Sequence, residues 1–226
     1  MKVPLLHVIA TDEVVAAQGF QPIAEELMGA GRDRLALHLR LRRTDGRSFH
    51  RLAERLGETA GDTGAWCVVN GRVDVALTSG ARAVQLGAGA LPVSAVRRIT
   101  GRRLAIGASV HSADEARARA REGADFLVAG AVFRTTTHPD RVPAGPALVT
   151  SCAGAGVPVL GIGGIDLSNA ERVVAAGATG VAVIRAVWQA ADPPGAALCL
   201  IDLVSRAGSL GAEAIRRDRE TSSADA

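Results

Sequence analysis

Tyrosine is absent from this sequence, and four Phe and two Trp are its only aromatic residues. So small a supply argues against nucleic-acid recognition by base stacking, which needs aromatic platforms. Cysteine is scarce as well: Cys67, Cys152 and Cys199 form no CxxC pair. Each stands in an apolar run, so all three are expected to be reduced and packed. No apolar stretch approaches the ~18 residues of a membrane span, and the first ten residues hold too short an apolar run for a secretion signal. These absences point to a cytoplasmic chain with neither membrane nor nucleic acid as partner. The charge excess is small, +3 from 26 Lys+Arg and 23 Asp+Glu. The arginines are dispersed along helix-like stretches, which suits a solvated surface and anionic small molecules.

What is present is small and branched. The composition is 48% hydrophobic, dominated by Ala, Val, Leu and Ile, the residues that fill barrel interiors. Short apolar runs begin near Leu5–Ile9, Leu35–Leu41, Trp66–Val69, Ala83–Leu86, Leu104–Ala108, Phe126–Ala129, Val157–Gly161 and Gly180–Ile184. Between them lie longer stretches such as Ala113–Glu122, whose composition and period favour helix. Glycines at Gly80, Gly123, Gly156 and Gly177 precede the next strand, as at helix C-termini. Eight strand–helix units imply parallel strands and right-handed crossovers. A doubly wound open sheet is the alternative, but eight evenly spaced units favour closure. The expected fold is α/β, a single (β/α)8 TIM barrel over residues 1–210, with 211–226 a charged, disordered tail.

In a parallel barrel the site is built from loops after the C-terminal strand ends. The strongest signal there is Val159–Asp166, in which Gly163 and Gly164 leave strand seven without side chains ahead of helix-like Leu167–Glu171. Bare amides beside a helix N-terminus receive phosphate, and the strand-eight end at Ile184 and Arg185 is the neighbouring segment. Asp166 is expected to cap that helix rather than face an anion, with Ser168 and Glu171 a competing capping box. A second signal is Thr135, Thr136 and Thr137 after strand six, whose hydroxyls and amides suit an anion. On strand two His38, Arg40 and Arg42 alternate onto one face. Asn70 ends strand three, and Ser109 and His111 end strand five.

Taken in order, these segments resemble thiamine phosphate synthase and its relative, the TenI-type thiazole tautomerase. The resemblance covers most of Leu35 to Ala190 and rests on Leu37, Leu39 and Arg40; Asn70 with Arg72; Gly107, Ser109 and His111; the Thr loop; and Val159–Ile165. It implies a thiazole phosphate held by Gly163, Gly164 and the strand-eight loop, and a pyrimidine diphosphate side lined by Arg40, Asn70, Ser109, Thr135 and Thr137. In synthases a pyrimidine diphosphate ionises with Mg²⁺ help and the thiazole nitrogen captures the cation. Two departures follow: the family's magnesium aspartates correspond to Gly71 and Ala90 here, and Asp74 and Asp45 are the nearest carboxylates. The tautomerase branch keeps a catalytic His where this chain has Ala131, leaving His38, His111 and His138 as candidate acid–base groups, since imidazole titrates near neutrality. Arg185 stands where the family has Ser.

The reading that follows is a tautomerase-like isomerase acting on a thiazole carboxylate phosphate, with no metal and no cofactor. The alternatives are a diverged synthase that uses Mg²⁺, and a barrel that binds a phosphorylated thiazole or pyrimidine without turnover. A homo-oligomer is compatible with all three.

Overall fold

The computed structural model describes residues 1–135 and 142–224. Eight parallel strands close in sequence order into a barrel. They are β1 (Leu6–Thr11), β2 (Leu35–Arg40), β3 (Trp66–Asn70), β4 (Ala83–Leu86), β5 (Ala105–Val110), β6 (Phe126–Gly130), β7 (Val159–Ile162) and β8 (Gly180–Val183). The helices are α1 (Asp12–Val15), α2 (Phe20–Gly31), α3 (Gly46–Thr63), α4 (Val73–Thr78), α5 (Val93–Thr100), α6 (Ala113–Arg121), α7 (Pro146–Ala153), α8 (Ala170–Ala175), α9 (Arg185–Trp188) and α10 (Pro193–Ala224). The chain is thus a (β/α)8 barrel. Helix α10 continues over 211–224, the stretch whose composition reads as a tail. No helix among the described residues is long and apolar enough to cross a membrane.

Local chemistry sets the outer layer. Helix α3 buries Phe49, Ala53, Leu56, Gly57 and Ala60, one stripe at helical spacing. Full burial of a Leu or Phe side chain contributes roughly 1.5–3 kcal/mol. Asp45 caps this helix, accepting from the amides of Arg47 at 3.0 Å and Ser48 at 3.1 Å. Ser112 caps α6, which carries Asp114 and Glu115 in its first turn and Arg119 and Arg121 in its last, each sign matching the helix dipole.

Strand periodicity divides the core in two. Ile9, Ala36, Trp66, Val68, Phe126, Val128, Leu160 and Ala182 pack inside the barrel, while Leu35, Leu37, Leu39 and their counterparts pack under the helices. His38 and Arg40 share the inward face with Ala36, but β2 ends at Arg40 and Arg42 lies exposed beyond it. His7, His38 and Gln85 are polar yet buried inside the barrel. Cys67 and Cys152 are buried, and burial pushes the Cys67 thiol up to about 12. Cys199, expected to be packed, is exposed on α10, because that helix turns only one stripe (Ala197, Leu200, Ile201, Val204) toward the core.

Candidate functional site

A cavity of about 550 Å³ opens at the C-terminal ends of the strands. Its floor is apolar, formed by Ile9, Val128, Ile162 and Ala182; its wall carries Arg40, Ser109, His111, Arg134, Thr135, Asp166 and Arg185; Gly163, Gly164 and Ile184 complete the β7–β8 side. Of the residues singled out from the sequence, Arg40, Ser109, His111, Thr135, Gly163, Gly164, Ile184 and Arg185 therefore meet around one space. Thr136, Thr137 and His138 lie outside the described residues.

The glycine pair exists because the β6 loop lies against it. Val132 N donates to Ile162 O at 2.8 Å and Phe133 N to Gly163 O at 2.9 Å. A Cβ on Gly163 would stand 2.8 Å from the Cβ of Ala131, and one on Gly164 would collide with the carbonyl oxygen of Arg134. Both glycines also take positive φ, +106° and +62°. Gly163, Gly164, Ile165, Arg185 and Ala186 all line the cavity, and among the described residues none of the turn, loop and cap hydrogen bonds uses their amides. Arg172 stacks over Phe133 at 5.3 Å and steadies the loop from α8.

Two local expectations are corrected here. The glycine turn does not run straight into a helix, since α8 begins only at Ala170, with Asn169 at the N-cap. The helix that starts at the cavity is instead α9, whose first residue is Arg185. Trp188 ties α9 down, donating Nε1–H to Ile9 O at 2.9 Å and packing on Phe20 at 5.4 Å. Asp166 is not the N-cap, and the Ser168–Glu171 capping box does not form. Asp166 Oδ1 accepts from Ser168 N at 2.9 Å and Ser168 Oγ at 2.6 Å, while Asn169 bridges Gly164 O and Asp166 N, each at 3.0 Å. A turn closed by its own polar side chains replaces the first helical turn.

The cavity wall is cationic. Arg40, Arg134 and Arg185 line it against one carboxylate, Asp166, whose Oδ1 is taken up by Ser168. Burial and then the charge of Arg42 lower the pKa of Arg40, so an anion placed beside it would relieve both.

The candidate histidines separate clearly. His111 lines the cavity, and its Nδ1 is 3.2 Å from Glu115 Oε2, which also accepts from the His111 amide at 2.8 Å. His38 lies off the cavity wall, buried inside the barrel. Its Nδ1 is 3.0 Å from Asn70 Oδ1, its Nε2 is 2.7 Å from His7 Nδ1, and burial holds it down to about 4. Asn70, also off the wall, is turned to His38. His7 was missed by sequence reasoning. The signal was present, a polar residue in phase with inward Ile9, but only strand register shows that it meets His38. Gln85, buried in β4 beneath Ser109, was missed for the same reason.

The residues do not fit a magnesium ion as a synthase would hold one. Mg²⁺ seeks hard carboxylate oxygens, and the two implied positions are Gly71 and Ala90. Asp74 is engaged by Arg72, Nε to Oδ1 at 2.9 Å and Nη2 to Oδ2 at 2.6 Å, which holds its carboxyl below the usual range. Asp45 is spent capping α3. Among the described residues no three His, Cys, Asp or Glu side chains cluster as a metal site.

Residues 6–187 match the family model described as thiamine monophosphate synthase. The chain belongs to this family. It is 37% identical over 211 residues to the thiamine-phosphate synthase of Methanoculleus marisnigri, covering 91% of this chain and 98% of that one. It is 49% identical over 157 residues to the thiamine biosynthesis bifunctional protein ThiM/ThiE of Symbiobacterium thermophilum, covering 69% of this chain but only 33% of that protein's length. Among solved structures, thiamine phosphate pyrophosphorylase from Pyrococcus furiosus superposes with a TM-score of 0.79 at 33% identity, covering 91% of this chain and 96% of that one.

Proposed function

We propose that the cavity binds a phosphorylated thiazole and that the chain isomerises a thiazole carboxylate phosphate, as a tautomerase-like member of its family. The observation that carries this reading is His111 on the cavity wall with a carboxylate behind it, in a site whose implied metal positions are Gly71 and Ala90. The phosphate would sit against Gly163, Gly164 and the start of α9, with Arg185 adding a cation. His111 would remove a proton from the ring substituent and return it at the second position, and Glu115 would hold the imidazole in one orientation. No metal or other cofactor enters this scheme.

The second reading is a thiamine phosphate synthase, favoured by the names of the relatives. Arg40, Ser109 and Thr135 on the wall suit its diphosphate side, but a synthase needs a means of neutralising the pyrophosphate leaving group. Incubation with each substrate set separates the two. Isomerisation of the thiazole carboxylate phosphate in the presence of EDTA supports the first. Magnesium-dependent pyrophosphate release from a pyrimidine diphosphate and a thiazole phosphate, without isomerisation, overturns it. Binding without turnover of either set also overturns it and leaves a ligand-binding barrel.

A further inference from the structure

Arg40 stands on the cavity wall as the last residue of β2, so its place depends on the turn that leads from β2 into α3. After buried Leu41 that turn has no apolar side chain to pin it. Arg42 and Arg43 are exposed, and Thr44 is only half-buried.

One carboxylate pins the turn instead. Asp12 Oδ2 accepts from Arg42 N at 2.8 Å. Asp12 Oδ1 accepts from Arg43 N at 3.1 Å, Thr44 N at 3.1 Å and Thr44 Oγ1 at 2.9 Å. Three successive amides and a hydroxyl thus converge on a single side chain, as in the backbone nests that hold anions. Here the anion is built in, and the neighbouring strand supplies it: Thr11, the last residue of β1, pairs in register with Arg40. β1 is itself tied to α9, where Trp188 donates Nε1–H to Ile9 O at 2.9 Å.

The charges serve the same end. Burial and the nearby Arg42 both disfavour the Arg40 cation, whereas Glu13 and Asp12 favour it. Glu13 also pairs with Arg43 on the exposed side of the turn. Two consecutive acids therefore lace the end of β1 to the turn after β2. Without them, Arg40 and Arg42 would repel, and Arg40 would be free to leave the wall.

We propose that Asp12 is a positioning residue: by filling the amide nest of the β2–α3 turn, it holds Arg40 at the cavity, where Arg40 meets the anionic group of a ligand. Asp12 itself does not line the cavity, so its effect on binding passes through Arg40. The inference is independent of which substrate the cavity takes, because inorganic pyrophosphate is anion enough to test it.

Calorimetry with pyrophosphate reads the coupling. Arg40→Ala and Asp12→Ala should each weaken binding about tenfold, the loss expected for a charge-assisted contact. The double variant should be no weaker than Arg40→Ala alone, to within about twofold, because both changes remove one interaction. Glu13→Gln, which lowers the negative field but leaves the nest filled, should weaken binding by less than Asp12→Ala. Formate, a free carboxylate that fits the vacated nest, should restore affinity to Asp12→Ala beyond a matched chloride control. Native-like affinity in Asp12→Ala, losses that multiply in the double variant, an equal loss in Glu13→Gln, or no response to formate overturns the inference. Failure of native protein to bind pyrophosphate overturns it as well, since Arg40 would then hold no anion. Should Asp12→Ala fail to fold, Asp12→Asn, which keeps one acceptor oxygen but no charge, must show the same non-additivity with Arg40→Ala.

Discussion

His111 faces the cavity with its Nδ1 3.2 Å from Glu115 Oε2, one turn along in α6, so imidazole and carboxylate form a dyad on the wall that also carries Ser109. A positioned acid–base group contributes typically 10²–10⁴-fold in rate. His111→Gln should lower isomerisation by about that factor, and Glu115→Gln by less, with ligand affinity little changed. Turnover of the thiazole carboxylate phosphate measured beside its calorimetric Kd checks this. A large rise in Kd with unchanged turnover would make His111 a binding residue instead.

Gly163 and Gly164 should be intolerant of any side chain. Each combines a positive φ with contact from the β6 loop, at Ala131 and at the Arg134 carbonyl. Gly164→Ala should cost about 1–3 kcal/mol of stability and weaken inorganic phosphate binding at least tenfold, whereas Arg185→Ser should weaken it only severalfold without a change in Tm. Calorimetry with phosphate and thermal melts decide between these outcomes. Native-like phosphate binding by Gly164→Ala would move the anion elsewhere.

The barrel was legible because its signals are local and repeated. Apolar runs of strand length recur eight times, and the glycines read as helix ends, Gly80, Gly123, Gly156 and Gly177, all take positive φ, from +72° to +101°. The glycine turn of the site was legible for the same reason. What the sequence hid depends on pairing between distant segments. His7 meets His38 only through the β1–β2 register, and His38, read as a candidate base, is buried by that pairing. The start of α8 was misplaced because Asp166, Ser168 and Asn169 bond to one another and to the turn, a competition that residue spacing does not reveal.

Stability should fall with acid in a window set by the buried histidines. Burial lowers His38 to about 4 and, together with the neighbouring His38 ring, lowers His7 well below 6.5. A folded-state pKa below the unfolded one means that the unfolded chain binds more protons. The full contribution is therefore present above pH ~6.5 and is lost as pH falls from there toward ~4, at up to about 1.4 kcal/mol per pH unit for each ring. Denaturant melts at pH 7.5 and pH 5 should show this loss, and His7→Phe should roughly halve the slope. Asp12, held to about 2 by hydrogen bonds from Arg42, Arg43 and Thr44 against the opposing push of partial burial, acts only below that window. Equal stability at pH 7.5 and pH 5 would contradict the neutral histidine pair.

Magnesium should add little. The carboxylates nearest the implied ligand positions are committed, Asp74 to Arg72 and Asp45 to the α3 N-terminus. Calorimetry of Mg²⁺ into protein saturated with inorganic pyrophosphate should show only the metal–pyrophosphate interaction. A stoichiometric protein-dependent site, abolished by Asp74→Asn, would restore the synthase reading.

Ala131 offers the sharpest test of how this chain carries out its chemistry. It lines the cavity beside Gly163, in the segment where the resemblance to the tautomerase branch implies an imidazole. If His111 has taken over that proton transfer, native protein turns over, His111→Gln abolishes most of the rate, and Ala131→His in the His111→Gln background restores part of it. Full rescue is not expected, because an imidazole without a partner to orient it populates unproductive rotamers and tautomers; a gain of about tenfold over the His111→Gln protein fits a badly oriented base. The gain should appear in kcat rather than in KM, since the phosphate contacts of Gly163 and Gly164 are untouched. Native protein and Ala131→His both inert, with thiazole phosphate still bound, would leave no proton-transfer role for His111 and would make this barrel a binding protein.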